Sequence, residues 1–147
     1  MLGDHNLWAK ITYYQPSVGI PLVITGPDVV AGRTFDGPVN LHDLAATFLE
    51  VAGIASTPEM DSRSLVPVLA GTSDSHRDYV LSGLVLPKGA WHLVFDGRYK
   101  LVNIEGEPPI LFDLQEDPWE DQNIAEAEPD TVAQLQAWLD AELNQAA

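Results

Sequence analysis

The first ten residues, Met1-Leu2-Gly3-Asp4-His5-Asn6-Leu7-Trp8-Ala9-Lys10, put an aspartate, a histidine, an asparagine and a lysine within one short stretch. A carboxylate and an imidazole so close together can hold a divalent cation, and an ammonium beside them can hold an anionic oxygen. Asp4 and His5 alone would bind a cation weakly, because a hard divalent ion takes about six ligands and most of them would be water. The group therefore reads as one wall of an anion or metal site whose other walls come from elsewhere.

Other candidates are weaker. His42 falls at a helical start and reads as a surface or capping residue. Ser75-His76-Arg77-Asp78 reads as a solvated turn, and His92 lies on a strand, half-buried or facing solvent. None of these histidines has a partner at triad or zinc spacing. Ser17 and Ser64 have no neighbouring base, and the acidic loop near the C-terminus lacks the alternating oxygen ligands and internal glycine of an EF-hand. Trp119 is expected to cover a sheet edge, and Trp138 to join the buried stripe of a last helix.

The elements that must position the N-terminal group follow from patterning. Residues 20–25, IPLVIT, form a β-branched apolar run stopped by Gly26-Pro27, the pattern of a strand buried on both faces. Asn40 can cap a helix whose apolar stripe is Leu41, Leu44, Ala45, Phe48, Leu49 and Val51, with Gly53 as its stop, and this helix is expected to pack on that strand. A second short helix with Pro67 in its first turn precedes a polar boundary at 71–75. Beyond it the period changes. Residues 79–81 make a weak strand, 91–95 and 98–102 a hairpin turning on Asp96-Gly97, and 110–113 a further strand. From Pro129 onward Val132, Leu135, Trp138, Leu139 and Leu143 recur at helical spacing.

Charge and composition bound the function. The 147 residues suit one ordinary domain with a core. The net charge of −15 is uneven, with no Lys or Arg after Lys100. Such a surface repels nucleic acid and anionic lipid and otherwise acts as a solubilising face. The absence of cysteine removes disulfides and a thiol nucleophile from this chain. No run approaches the roughly 20 apolar residues of a membrane span, and no signal-peptide pattern opens the chain, so as it stands the sequence reads as cytoplasmic.

Four stretches together resemble type I sulfatases and phosphonate monoester hydrolases. MLGDHNLWAK with IPLVITGP is similar to the family's DHGEMLGDHGLWGK followed by a Val-Pro-Leu-Ile strand and Gly-Pro. DSRSLVPVLAG resembles DGRSLLPLLAG, DGRYKLV resembles the GRYKYI strand, and LFDLQEDPWEDQNIA resembles LYDLxxDPxExxNLA. The resemblance implies an α/β fold, the C-terminal portion of an alkaline-phosphatase-like sandwich, plus a small antiparallel sheet packed with a C-terminal helix. It divides the chain into residues 1–72, the end of the large domain, and 73–147, a small α+β subdomain.

The resemblance also implies a chemistry in which a formylglycine attacks a sulfate ester beside a divalent cation, Ca or Mg. The family's nucleophile motif and metal-binding aspartates lie upstream of the matched stretch. The register set by Met1-Leu2-Gly3 before Asp4-His5 and Leu7-Trp8-Ala9-Lys10 after it makes this the second of two similar pairs. His5 is then adjacent to the active site rather than a ligand. In the alternative register, Asp4 and His5 ligate the metal themselves. Lys10 matches the lysine that reaches the sulfate group. Three departures stand nearby: Gln15 and Gly19 replace a Glu and an Arg, and Asn6, a lesser change, replaces a glycine at a position suited to positive φ.

These readings assign no catalytic residue, metal ligand or cofactor to this chain itself. They expect a fragment of a sulfatase, inactive alone, whose parent hydrolyses a sulfate-ester small molecule or sugar. The rival expectation is a stand-alone acidic interaction module. No nucleic-acid or membrane partner is expected. An exposed sheet edge would lead the isolated chain to self-associate.

Overall fold

The structure is a computed structural model and describes residues 1–87 and 89–145. Its backbone forms two compact units, Met1–Pro21 with Leu81–Ala147, and Leu22–Val80. The first 21 residues thus fold with the C-terminal sheet, a grouping drawn on different lines from the division at residue 72.

In the first unit a four-stranded antiparallel sheet runs β1 (Val80–Leu86), β2 (Gly89–Phe95), β3 (Tyr99–Ile104) and β4 (Ile110–Asp113), with neighbours in chain order. Leu93 pairs with Val102, and Lys100 with Phe112. Because side chains alternate across a strand, this register sorts them onto two faces. Leu93, Val102 and Phe112 form the core of one face, covered by Tyr13, Tyr14 and Val18 of the N-terminal segment. Val94, Leu101 and Leu111 belong to the other, where α4 (Pro129–Gln145) packs on β2 and β3. Leu135 and Leu139, one helical turn apart, are buried there, and Asn103 Nδ2 donates to Gln136 Oε1 at 2.8 Å. Pro129 suits the first turn of α4, where its missing N–H would have no partner in any case.

The hairpin forms one residue later than its sequence signal. Phe95 pairs with Lys100, so the turn centres on Gly97-Arg98, with Gly97 at φ 103° and Arg98 outside the positive-φ region. Asp96 is displaced from the turn centre because its side chain does a different job. Its Oδ1 accepts the N–H groups of Arg98 at 2.8 Å and Tyr99 at 2.7 Å, closing the loop from outside.

Two expectations for the second unit fail. Residues 20–25 form no strand, and Val23 is 91% exposed. A run patterned for the middle of a covered sheet needs a ladder partner on each side, and it finds none among the described residues. The helix α2 (Asp43–Val51) forms as expected but turns its apolar stripe outward, with Phe48 66% and Val51 75% exposed. Its buried face is Asp43, Ala46 and Thr47, which meets the segment leading into α3 (Val66–Leu69), where Leu65 and Val68 are buried. Thr47 Oγ1 links the two, donating to the Asp43 carbonyl at 2.7 Å and accepting Leu65 N–H at 2.9 Å.

Gly53 ends α2 as expected. It sits at φ 71° and donates to the Glu50 carbonyl, while Ile54 N–H reaches back to Leu49. This pair of bonds is a Schellman motif, in which glycine supplies the left-handed residue. Gly53→Ala finds open space for its Cβ but inherits that backbone conformation. It is expected to lower the stability of this unit by about 1 kcal/mol, read as a lower urea midpoint.

Candidate functional site

The N-terminal segment is a small closed loop rather than a tail. Leu2 bridges to Trp8, Gly3 N–H donates to the Leu7 carbonyl at 3.1 Å, and the terminal ammonium donates to the Ala9 carbonyl at 3.2 Å. Three non-glycine residues in it occupy the left-handed region: His5 at φ 50°, Asn6 at 58° and Ala9 at 76°. The Asn6 value agrees with a position suited to glycine. Each such residue costs about 1–2 kcal/mol and persists only where its surroundings hold it, a pattern that clusters at functional sites.

The segment places the two candidate residues, His5 and Lys10, differently. The His5 ring stacks on Tyr14, centroids 3.7 Å apart and planes 8° from parallel, leaving both ring nitrogens at the edge. Lys10 is exposed and forms no hydrogen bond or ion pair with the described residues. Asp4 accepts the Leu2 N–H at 3.0 Å, and this bond with that of its own N–H holds its carboxyl below the usual range. Among the described residues no three His, Cys, Asp or Glu side chains gather as a metal site.

What anchors this loop was not visible from residue types alone. Lys100 points from the sheet into the face covered by residues 13–18 and is fully buried. Its ammonium pairs with the buried Glu120 and donates to the Tyr13 carbonyl at 2.9 Å. The other oxygen of Glu120 accepts Gln15 N–H. Burial pushes the Lys100 ammonium down from its ordinary pKa, against the pull of the Glu120 carboxylate. Glu120 itself sits at φ 60°, a strain these contacts offset. A glutamate inside the acidic run 116–121 gave no sign that it alone would be buried. Trp119 beside it is 70% exposed rather than folded over a sheet edge.

Gln15 and Gly19 fit this arrangement. With no Glu–Arg pair to order it, the segment closes through a short helix α1 (Gln15–Val18), Pro16 in its first turn and Gly19 N–H on the Gln15 carbonyl at 2.7 Å. A Cβ at Gly19 would fall 2.9 Å from that carbonyl oxygen, so a larger residue there requires a different loop.

The remaining charged groups are structural. Arg98 clasps Asp113 through Nη2 at 2.6 Å and Nε at 3.0 Å, across the strand pair β3–β4. In the second unit Asp43 is fully buried, and the reading of His76 and Arg77 as a solvated turn is overturned. His76, its side chain 4% exposed, bonds Asp43 Oδ2 at 3.0 Å, and Arg77 Nε lies 2.9 Å from the same oxygen. Asp43 also accepts the N–H groups of Asn40 at 3.0 Å and Arg63 at 2.9 Å. The turn is buried because an uncompensated carboxylate inside α2 draws both partners onto it. His42 stays half-exposed at the edge of this cluster.

Burial alone would raise the Asp43 pKa, but Arg77 and the surrounding donors outweigh it and hold the carboxyl well below the ordinary value. A carboxylate with a lowered folded pKa contributes stability that is present above its unfolded pKa of about 3.9 and lost as pH falls through the folded value. Urea midpoints for residues 22–80, followed by amide exchange, are therefore expected to hold steady from pH 7 to 5 and to drop below about pH 4.

Fold and segment together define the C-terminal part of an alkaline-phosphatase-like sulfatase. Residues 3–147 match the family "N-sulphoglucosamine sulphohydrolase, C-terminal", and the chain belongs to it. It is 33% identical over 132 residues to choline-sulfatase of Rhizobium meliloti, covering 86% of this chain and 25% of that protein. It is 34% identical over 143 residues to the multifunctional alkaline phosphatase superfamily protein PehA of Trinickia caryophylli, covering 84% and 28%. Among solved structures, the 2-O GAG sulfatase BT1596 superposes with a TM-score of 0.80 at 26% identity, over 92% of this chain and 32% of that one. The chain thus spans about a quarter of the length of the curated relatives it matches.

Proposed function

We propose that this chain is the C-terminal part of a sulfatase that hydrolyses a sulfate monoester of a small molecule or sugar, and that Lys10 binds the ester's anionic oxygens. The match of residues 3–147 to a sulphohydrolase C-terminal family carries the reading. The choline-sulfatase and GAG-sulfatase relatives support a sulfate ester as substrate, and the exposed, unpaired Lys10 supports the contact. In this reading residues 1–72 complete the large domain and 73–147 form the small subdomain. The outward stripe of α2 and the irregular run 20–25 would then pack against the rest of the large domain.

A formylglycine and a divalent cation would supply the attacking atom and the charge opposite it. The donor set of this chain does not fit either group: it has no cysteine and nothing resembling the family's nucleophile motif in its cysteine or serine form, and no cluster of three metal-ligating side chains exists among the described residues. What its own residues do is narrower. Lys10 places a compact positive charge against the sulfate oxygens and stabilises charge developing as the ester breaks. His5, held flat against Tyr14, keeps its ring edge free of that stack and is the residue the family register sets next to the active site. The family's nucleophile motif is not among this chain's residues.

The test is a chimera in which this chain replaces the matched quarter of the Rhizobium meliloti choline-sulfatase. The chimera is expected to release sulfate from choline sulfate, more slowly than the natural enzyme. A chimera that folds and releases none contradicts the proposal. A further outcome concerns the isolated chain: with Phe48 and Val51 exposed on α2, it is expected to self-associate at high concentration. Phe48→Ser with Val51→Ser should return it to a monomer in light scattering.

A further inference from the structure

We propose that Lys100 and Glu120 are positioning residues for the sulfate-facing loop, acting on His5 and Lys10 through the backbone of residues 13–15. The inference rests on the functional reading above and adds to it how the loop is held. Lys100 and Glu120 come from β3 and from the loop after β4, far along the chain, yet their charged ends meet beneath one short segment. Lys100 Nζ fixes the Tyr13 carbonyl at 2.9 Å and Glu120 fixes Gln15 N–H. Between those two clamped peptides lies Tyr14, whose ring is the platform under His5. Trp91 Nε1 adds a looser hold on the Ile11 carbonyl at 3.4 Å, one residue from Lys10.

A merely stabilising pair needs no such partners. Two buried charges that neutralise each other often do no better than an apolar pair of the same volume. Here each charge keeps a second bond, and both second bonds go to the same three residues. Glu120 holds a left-handed backbone while its carboxylate meets both Lys100 and Gln15.

Lys100→Met with Glu120→Met removes both charges without orphaning either, so the sheet should fold. In the isolated chain, NMR reads the clamp directly as cross-peaks between the His5 and Tyr14 rings and as the upfield displacement of the His5 ring protons. Both are expected in the natural sequence and lost in the double variant, while amide protection at Leu93 and Val102 persists. Lys100→Met with Glu120→Gln restores an acceptor for Gln15 and should recover part of the stacking signal. In the chimera the Met–Met variant is expected to lose about 10²-fold in kcat, the scale of a misplaced contact. Stacking that survives unchanged in the Met–Met variant, or chimera kinetics that stay unchanged when stacking is lost, would overturn the proposal. A chimera inactive before any substitution indicts the sulfatase reading instead, and leaves the stacking result to judge the clamp.

Discussion

Asp43→Ala is expected to cost residues 22–80 about 3 kcal/mol, the scale for breaking a buried ion pair by removing one partner. The substitution strands the Arg77 guanidinium, the His76 ring and the N–H groups of Asn40 and Arg63, all of which converge on one carboxylate. With Pro38, Ala46, Leu65 and Val68 as its buried apolar residues, this unit has a small core to absorb such a loss. Urea denaturation followed by amide exchange should show residues 22–80 opening first, with the β-sheet unit still protected. Asp43→Ala together with Arg77→Met should recover part of the loss, because the stranded charge is gone. An Asp43→Ala chain as stable as the natural one would mean that the cluster contributes nothing.

Lys10→Ala in the active chimera is expected to lower kcat about 10²–10³-fold, the range for removing one donor from a site where negative charge develops. The fold should be unaffected, since Lys10 has no partner among the described residues. Lys10→Arg should recover only part of the rate, because a forked guanidinium cannot occupy the place of a compact ammonium without moving the anion. Steady-state kinetics on choline sulfate separates a loss of binding from a loss of turnover. A variant with unchanged kcat and KM would remove Lys10 from the site.

The two halves of the chain were unequally legible. The hairpin, the strand 110–113 and the last helix were readable because their partners lie within the same stretch. Leu93 meets Val102 across one turn, and Leu135 and Leu139 need only the sheet beneath them. Residues 20–25 and the stripe of α2 carry equally clear patterns, but they find no ladder partner or covering element among the described residues, and so they stand exposed. Asp96-Gly97 signalled the hairpin correctly and its register wrongly, because the aspartate's side chain caps the turn from one position outside it.

For the proposed site, local sequence nominates His5 and Lys10 through the spacing they share with a sulfatase motif, and Asn6 takes the positive φ expected of its position. Local sequence could not identify Glu120 or Lys100. Both are charged residues in ordinary surface contexts, one in an acidic run and one on an alternating strand. Their burial depends on a contact between β3 and a segment near residue 14. The same holds for Asp43, which lies 33 and 34 positions from His76 and Arg77 and joins them in a cluster only once the chain has folded. The one available signal was parity: Lys100 shares a strand face with Val102 and must point where that valine points.

The central claim is that this chain supplies an anion-binding lysine to a sulfatase but not the atom that attacks the ester. Its most direct test is sulfate release from choline sulfate by the purified chain alone, followed by ion chromatography, beside the same assay on the chimera. The account predicts no release by the chain, and release by the chimera that depends on Lys10. Catalytic release by the chain alone, abolished by Lys10→Ala, would contradict it.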